Sequence, residues 1–438
     1  MTGAALISAD GKTIFAPSTG QGSAAIAVIR ISGPSAHDAI ERLTARDAPP
    51  PRRLTRRAIV GPDGETIDDA MVVTFPEGAS FTGEPMAEIQ CHGGLAVLDA
   101  VLSLLSEDTD CRFAAPGEFT WRAVMRGRMG LDEAEGLGDL IAAETEMQRR
   151  QAVRLVSGAV RDRVEGWRER LLRALMLLEV TIDWADEEVP ENVHPEVTAL
   201  VSGLMAELEA ERGRVDRAEK LRQGFEVALI GAPNAGKSTL LNCLAGRDAA
   251  ITSAVPGTTR DIIEVRYDLQ GWPILFLDMA GLRHTADDVE REGVRRAEER
   301  AQLADLRLYL ISADSGASDV AEALMSPGDL RIWTKADSGL GAGDLQISAA
   351  TGEGIDDLLD AISARLISSG DLGLFTHRRH GEALERALSA LGAVENAGAD
   401  ELMAHFVREA LAALEQIIGR VGVEDVLDTV FRNFCLGK

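Results

Sequence analysis

The clearest chemistry in the sequence lies in the segment from Gly231 to Thr239, which reads Gly-Ala-Pro-Asn-Ala-Gly-Lys-Ser-Thr. The apolar run at 225–230 predicts a buried strand before it, and the run at 240–244 predicts a helix after it. Strand, glycine turn and helix in this order form a P-loop, where backbone N–H groups and the positive helix end face phosphate. We therefore expect Lys237 to reach the β and γ phosphates and the Ser238 hydroxyl to be a Mg²⁺ ligand.

Two further polar segments have the spacing of a nucleotide switch. The loop at 256–261 precedes a predicted strand at 262–267, and a threonine hydroxyl there completes a Mg²⁺ shell only when a γ phosphate is present. The strand predicted at 274–277 runs into Asp278-Met279-Ala280-Gly281. We expect Asp278 to hold a Mg²⁺-bound water and the Gly281 N–H to meet the γ phosphate.

Two more segments predict that the base is guanine. In Thr334-Lys335-Ala336-Asp337, the Asp337 carboxylate can accept from both N1–H and N2–H₂ of guanine, which adenine does not offer. The Lys335 stem is expected to pack on the base, and the segment 347–350 to offer a backbone N–H to the guanine oxygen. The predicted GTP contacts are Asn234, Ala235, Gly236, Lys237, Ser238, Thr239, Ser253, Ala254, Val255, Pro256, Gly257, Thr258, Thr259, Asp278, Met279, Ala280, Gly281, Thr334, Lys335, Asp337, Ser348, Ala349 and Ala350.

The residue that positions the attacking water is not obvious from the switch pattern. Leu282 stands where many switch GTPases carry a glutamine, and its side chain cannot hold water. The acidic stretch at 287–292 offers a carboxylate for this task, and its alternative interpretation is a solvated helix start. The residues alone leave both interpretations open.

Composition limits the other possibilities. The 438 residues suggest roughly two to four domains, and a net charge of −26 disfavours free-standing, high-affinity binding of nucleic acid. Only four cysteines occur, without zinc-ligand spacing, so a disulfide scaffold or zinc site is not expected. With no secretory signal and no apolar run of membrane-spanning length, we expect a cytoplasmic protein that does not bind a membrane.

The pattern of apolar residues predicts a multidomain α/β protein. Residues 1–120 form an α+β domain with strands at 25–31, 69–75 and 86–91 and a helix at 95–105. Residues 121–217 and 369–438 are the two halves of a helical domain, into which a Ras-like P-loop domain is inserted at 218–368. The predicted helical faces are Val153, Val156, Val160, Val164, Trp167, Leu171, Ala174 and Leu178 in the first half, and Leu402, Phe406, Leu411, Leu414 and Ile418 in the second.

These motifs resemble a known family. The P-loop spelling, the loop at 257–261 and the leucine after Asp-x-Ala-Gly are similar to those of the Era-like, potassium-activated GTPases. The segments 81–84, 91–94 and 115–120, with the terminal Phe-Cys-Leu-Gly-Lys at 434–438, resemble the bacterial MnmE (TrmE) family of tRNA-modification GTPases over essentially the whole chain.

The resemblance implies a chemistry for the N-terminal domain. In the family this domain dimerises and holds 5-formyl- or 5,10-methylene-tetrahydrofolate as a one-carbon donor. Motif by motif, the folate contacts fall on Arg30, Glu88, Arg128 and Lys438. Arg128 stands where the family usually has lysine. Cys435 would lie near the folate, either as a reactive thiol or as a small buried apolar residue.

The resemblance also implies how GTP is hydrolysed. Asn234, Ser253, Val255 and Thr258 would ligate K⁺ when two P-loop domains meet, Ser238 and Thr259 would ligate Mg²⁺, and Glu290 matches the catalytic glutamate. With an FAD-dependent partner, MnmG, in a heterotetramer or larger assembly, the homodimer would add an aminomethyl or carboxymethylaminomethyl group to C5 of the wobble uridine of certain tRNAs.

Two departures and two rival functions stand beside this prediction. Thr334 replaces the usual asparagine and is expected to remove a base-edge and loop-tying hydrogen bond of ~1 kcal/mol, which would lower nucleotide affinity. Met279 replaces the usual threonine. One rival is a regulatory or assembly GTPase that binds RNA or ribosomes without one-carbon transfer. The other is a scaffold whose P-loop only stabilises the fold.

Overall fold

The computed structural model describes residues 10–20, 22–183, 193–251, 264–279, 298–312, 319–338, 345–367, 370–420 and 437. Packing divides the chain into two units, each assembled from separate segments. The first unit comprises 1–138, 155–201 and 389–438, and the second comprises 139–154 and 202–388. Helical segments therefore contribute to both units. The domain boundaries predicted near 120, 217 and 368 stay predictions.

The first unit contains a six-stranded sheet in the order β3-β4-β5-β2-β1-β6, in which only β1 and β6 pair in parallel. Alternate residues of β2 and β5, such as Ile29, Ile31 and Ile89, form its core with helices α1 and α2. The three strands and the helix predicted here are confirmed. The elements are β1 (Thr13–Pro17), β2 (Ala24–Ser32), α1 (Ala36–Thr44), β3 (Thr55–Val60), β4 (Thr66–Phe75), β5 (Met86–Gly93), α2 (Leu95–Glu107) and β6 (Cys111–Phe113).

The predicted apolar stripe after residue 150 belongs to two helices. The two helices are α5 (Glu146–Val156) and α6 (Ala159–Asp183). They follow α3 (Glu118–Met125) and α4 (Leu131–Ala142) in the chain. From Val160 to Leu178 the stripe is buried, as predicted, but Val153 is 41% exposed. The prediction that the stripe begins at Val153 is wrong because α5 is a separate helix and buries Ala152 and Leu155 instead.

The C-terminal helices pack against the earlier ones within each unit. The C-terminal helices are α11 (Arg378–Val394) and α12 (Asp400–Ile417), and the earlier helices are α6 and α7 (His194–Gln223). In the first unit α12 lies on α6, where Arg168 Nε donates to Glu415 Oε1 at 2.8 Å. In the second unit α7 lies beside α11, where Arg212 Nε donates to Glu385 Oε1 at 2.6 Å. Within each unit, a helix from before the P-loop segment thus contacts a helix from after it, and a single helical domain made of two halves stays a prediction.

The buried face of α12 differs from the predicted one. Leu414 and Ile418 are buried as expected, but Leu402 is 49% exposed. The buried face instead runs through Met403, Val407, Ala410, Leu414 and Ile417. Alanine is small enough for close helix packing, so it can lie on a buried face that the pattern of large apolar residues does not predict. No helix in the described ranges is both long and apolar enough to cross a membrane.

The second unit contains a seven-stranded sheet in the order β13-β12-β11-β7-β10-β9-β8. The five strands β7 and β10–β13 run parallel, while β9 and β8 pair antiparallel at one side. In such a sheet, ligands bind at the carboxyl ends of the parallel strands, where the strand order reverses. The elements are β7 (Phe225–Gly231), α8 (Lys237–Ala245), β8 (Ala250–Ile251), β9 (Glu264–Leu269), β10 (Trp272–Asp278), β11 (Leu306–Ser312), α9 (Asp319–Ala323), β12 (Leu330–Thr334), β13 (Gln346–Ile347) and α10 (Ile355–Leu366).

Candidate nucleotide-binding site

The segment between β7 and α8 has the geometry of a phosphate-binding loop. Asn234 takes a left-handed backbone conformation (φ +64°), which bends the loop back before the helix starts at Lys237. Lys237 Nζ donates to the carbonyl oxygens of Gly231 at 2.9 Å and Ala232 at 3.0 Å. The ammonium group therefore spans the loop, and the first turn of α8 points its N–H groups into the same concavity.

A serine and an aspartate meet beside this loop. Ser238 Oγ donates to Asp278 Oδ2 at 2.7 Å, which joins the start of α8 to the end of β10. Asp278 is 2% exposed, and its Oδ1 is buried with no hydrogen-bond partner among the described residues. A buried carboxylate oxygen without a partner is costly unless a cation or its bound water supplies one. The Ser238 and Asp278 oxygens are hard donors that fit Mg²⁺.

Strand β12 is tied to the same loop by a side chain. Thr334 Oγ1 donates to the Ala235 carbonyl oxygen at 2.8 Å, and Thr334 is 7% exposed. The expectation that threonine removes the loop-tying hydrogen bond is therefore wrong, because the hydroxyl reaches the loop carbonyl. The base-recognition residues follow at once: Lys335 has φ +61°, and Asp337 is exposed in a 3₁₀ turn at 336–338.

The segment after β13 lies at the same edge of the sheet. Ser348 is 1% exposed, and its N–H donates to the Glu353 carbonyl oxygen at 2.9 Å. The Ser348 N–H is therefore already bonded, and another N–H of the segment 347–350 would have to donate to the guanine oxygen. The N–H groups of Ala349 and Ala350 make no such bond within the described part of the chain, so they are the better candidates.

Several residues of the predicted nucleotide site lie outside the described part of the chain, and the nucleotide contacts stay predictions. The residues Ser253, Ala254, Val255, Pro256, Gly257, Thr258, Thr259, Ala280, Gly281, Leu282 and Glu290 lie outside the described residues. Met279 is described and 1% exposed, and its side chain packs with Ala228, Ile230 and Leu277. Its side chain is therefore part of the core, which argues against direct contact with a nucleotide.

A second polar site lies on the N-terminal sheet. Arg30 on β2 donates to Glu88 Oε1 on β5 through Nε at 3.1 Å and Nη2 at 2.9 Å. The guanidinium carbon lies 5.5 Å from the ring centroid of Phe81 and 5.9 Å from that of Phe119. These two aromatic neighbours were not predicted, although both lie in the motifs at 81–84 and 115–120.

The C-terminal residue that is described approaches the same arginine. The Gly437 carbonyl oxygen accepts from Ser18 Oγ at 3.0 Å and from Arg30 Nη1 at 3.5 Å. Gly437 has φ +92°, and a Cβ atom there would lie 2.2 Å from the Pro17 carbonyl oxygen, so only glycine fits. Of the residues predicted to bind folate, Arg30 and Glu88 contact each other, while Lys438 follows Gly437 in the sequence and lies, like Cys435, outside the described residues. Their role in folate binding stays a prediction.

Two acidic motif residues of this domain belong to an ion-pair network with arginines from outside the motifs. Glu84 accepts from Arg122 Nη1 at 3.0 Å and from Arg126 Nη2 at 2.9 Å, while Glu118 accepts from Arg122 Nη2 at 2.9 Å. Arg128 is exposed and lays its aliphatic stem over Gly83. The motifs at 81–84 and 115–120 therefore mainly hold the domain together, and the structure shows no contact between Arg128 and the Arg30–Glu88 pair.

The fold and the loop define a class. A P-loop between β7 and α8, a carboxylate at the end of β10 and a Lys-x-Asp segment after β12 are the parts of a Ras-like P-loop GTPase. The family model of the GTP-binding protein TrmE N-terminus matches residues 13–128, and the family model of the MnmE helical domain matches residues 131–435.

Comparison with whole proteins gives the family. The chain is 50% identical to the tRNA modification GTPase MnmE of Ruegeria pomeroyi, over 97% of this chain and 100% of that protein. It is 48% identical to the protein of the same name from Cereibacter sphaeroides, over 97% of this chain and 100% of that protein. The chain therefore belongs to the MnmE family of tRNA modification GTPases.

Among solved structures, the chain is similar in part to the FeoB G-domain from Methanococcus jannaschii. That structure covers 33% of this chain and 98% of its own length, with 26% identity and a TM-score of 0.26.

Proposed function

We propose that this GTP hydrolase of tRNA modification uses its nucleotide cycle to modify C5 of the wobble uridine. The observation that carries the proposal is the Ser238–Asp278 pair beside the P-loop, with one buried Asp278 oxygen lacking a partner among the described residues. Because this oxygen lies at the end of β10 beside the phosphate-binding loop, a cation or its bound water can supply the missing partner.

The residues of this chain have distinct tasks in hydrolysis under this proposal. Lys237 and the α8 N-terminus hold the phosphates, and Ser238, Thr259 and Asp278 hold Mg²⁺ directly or through water. K⁺, when bound by Asn234, Ser253, Val255 and Thr258, would stabilise negative charge that develops between the phosphates. Glu290 would orient the attacking water, because Leu282 cannot do so.

The N-terminal domain is proposed to hold the one-carbon donor. Both Arg30 bonds fall on Glu88 Oε1, which leaves Oε2 to accept from the N–H groups of a reduced pterin. The Phe81 and Phe119 rings beside Arg30 offer flat apolar surfaces for such a ring. Arg128 and Lys438 would bind the carboxylates of the tetrahydrofolate tail, and Cys435 would lie nearby as a thiol whose role stays open.

The proposal includes partners and place of action. The protein would act in the cytoplasm as a homodimer, whose two P-loop domains meet to complete the K⁺ site. It would work with the FAD-dependent protein MnmG, which also supplies a surface for tRNA that a chain of net charge −26 lacks. The alternative is a regulatory or assembly GTPase without one-carbon transfer.

Two measurements separate these possibilities. GTP hydrolysis is followed in K⁺ and in Na⁺ at equal ionic strength, with the wild type and with Asn234→Ala. We expect K⁺ alone to accelerate hydrolysis and Asn234→Ala to remove the effect, whereas equal rates in both salts would exclude the K⁺ site. Saturable binding of 5-formyl-tetrahydrofolate that Glu88→Gln abolishes would eliminate the alternative, and absence of binding to the wild type would support it.

A further inference from the structure

We infer that Glu144 and Met147, which precede the P-loop domain in the sequence, are positioning residues for GTP hydrolysis. They act on the hairpin formed by β9 and β10, whose β10 strand carries Asp278. The inference rests on the proposed hydrolysis and extends it to residues that no P-loop motif includes.

Two contacts join the segment 139–154 to the hairpin within the second unit. Arg266 Nη1 on β9 donates to Glu144 Oε1 at 2.8 Å and to Oε2 at 2.9 Å, and the Glu144 side chain is only 25% exposed. At the turn, a Cβ atom on Gly271 would lie 2.6 Å from Met147 Sδ. Met147 also packs against the core cluster that includes Trp272. The hairpin is thus held by a charged contact on its β9 strand and an apolar contact at its turn.

The hairpin connects this contact with the nucleotide site. The turn at 270–271 lies at the opposite end of the strands from Asp278, and Thr258 and Thr259 precede β9 by a few residues in the sequence. Six residue pairs, from Leu269–Trp272 to Glu264–Leu277, link the two strands along their length. Because a paired hairpin moves as a stiff element, a shift at its turn changes the position of the Asp278 carboxylate.

The segment 139–154 is itself anchored, so it can resist such a shift. Asp139 Oδ2 lies 3.1 Å from His377 Nε2, Gln148 Nε2 donates to the Arg222 carbonyl oxygen at 3.0 Å, and Gln151 Nε2 donates to the Gly373 carbonyl oxygen at 3.3 Å. Arg222 and Gly373 belong to the connections that lead into and out of the P-loop domain. The segment therefore holds the hairpin relative to both connections.

The test uses full-length protein in K⁺ with Glu144→Gln, Arg266→Gln and Met147→Ala. We expect kcat for GTP hydrolysis to fall about fivefold to tenfold, while the Kd of a fluorescent GTP analogue changes less than about twofold. The Glu144→Gln/Arg266→Gln double variant should lose no more than either single variant, because both remove the same contact. The charge exchange Glu144→Arg with Arg266→Glu should restore much of kcat.

The matched control is Glu322→Gln. Glu322 accepts from Arg331 Nη2 at 2.8 Å in an exposed pair between α9 and β12, away from the hairpin, so kcat should be unchanged. Unchanged kcat in folded Glu144→Gln and Arg266→Gln would overturn the inference, and so would a parallel loss of kcat and nucleotide affinity. Absence of hydrolysis by the wild type would instead overturn the proposed function, and this inference with it.

Discussion

Asp278 in the P-loop domain and Glu118 in the N-terminal domain are both buried carboxylates, but their hydrogen bonds differ. Glu118 accepts from Arg112 Nη1 and Nη2, from Arg122 Nη2 and from the Ala115 N–H, all at 2.7–2.9 Å. Asp278 accepts from Ser238 through Oδ2, and its Oδ1 has no partner in the described part of the chain. Burial of the two is similar, so Glu118 and Asp278 differ in hydrogen bonding and in position, since only Asp278 lies beside a phosphate-binding loop.

A third buried carboxylate shows a different way to balance the charge. Asp132 is fully buried, and neither of its oxygens has a hydrogen-bond partner among the described residues. Burial raises the pKa of Asp132 to about 6, although Arg161 lies 4.0 Å away and opposes the shift. Burial also raises the pKa of Glu118, but its bonds to Arg112, Ala115 and Arg122 outweigh that effect and lower it. Asp132 can thus be neutralised by a proton below about pH 6, whereas Glu118 is balanced by arginines.

The largest expected effect comes from Asp278→Asn. GTP hydrolysis should fall at least about a hundredfold, because the amide replaces a charged oxygen beside the phosphates. The melting temperature should change little, since the Ser238 hydroxyl can still donate to the amide oxygen. Hydrolysis rates and thermal unfolding of the same preparation check both points. Activity near that of the wild type would show that Asp278 is only structural.

The converse variant is Glu118→Gln. It should lower the free energy of unfolding of the N-terminal domain by about 3–5 kcal/mol, because it leaves buried arginine groups without their carboxylate. GTP hydrolysis per folded molecule should not change. The measurement is urea denaturation followed by tryptophan fluorescence and activity. A stable variant that has lost hydrolysis would reverse the assignment of the two carboxylates.

The third prediction concerns the pH dependence from Asp132. The pKa of Asp132 in the folded protein is about 6, above the ordinary value of 3.8. The free-energy cost of burying the charged carboxylate is therefore absent below pH 4, grows as the pH rises and is complete above pH 6. At neutral pH it amounts to about 3 kcal/mol. The stability difference between Asp132→Asn and the wild type should therefore rise from pH 4 to 7. Equal pH profiles would contradict the buried, unbonded state of this carboxylate.

The smallest effect is expected for the hydrogen bond between Thr334 and the P-loop. Thr334→Val removes the donor to the Ala235 carbonyl oxygen and keeps the shape, so nucleotide affinity should fall about threefold to tenfold. Thr334→Ser keeps the donor and should bind nucleotide like the wild type. Fluorescent nucleotide titration measures both. Equal affinity of the valine variant would show that this hydrogen bond does not support the loop.

The sequence was sufficient where chemistry depends on local order. The P-loop, the Ser238–Asp278 meeting and the strand ends follow from motif spacing and from the rule that parallel strands end at one edge. The sequence was insufficient where a contact with a residue distant in the chain determines the structure. The Thr334 bond to the loop, the break between α5 and α6 and the inclusion of alanines in the buried face of α12 depend on neighbours that are distant in sequence.

The N-terminal domain shows the same limit. The glutamates at 84 and 118 belong to motifs that indicate the family, yet their partner Arg122 lies outside both motifs and reveals their structural task. The contact between Arg30 and Glu88 was likewise not predicted, although the family resemblance implied that both residues bind folate. The strand register of β2 and β5 explains the contact, because the two residues are directly opposite.

The most direct test of the central claim is mass analysis of the wobble uridine in tRNA from cells that lack this protein. The account predicts that the C5 modification is lost, that the wild-type gene restores it and that a gene encoding Asp278→Asn does not. Unchanged modification in the deleted cells, or full restoration by Asp278→Asn, would contradict the claim that GTP hydrolysis at this site drives the modification.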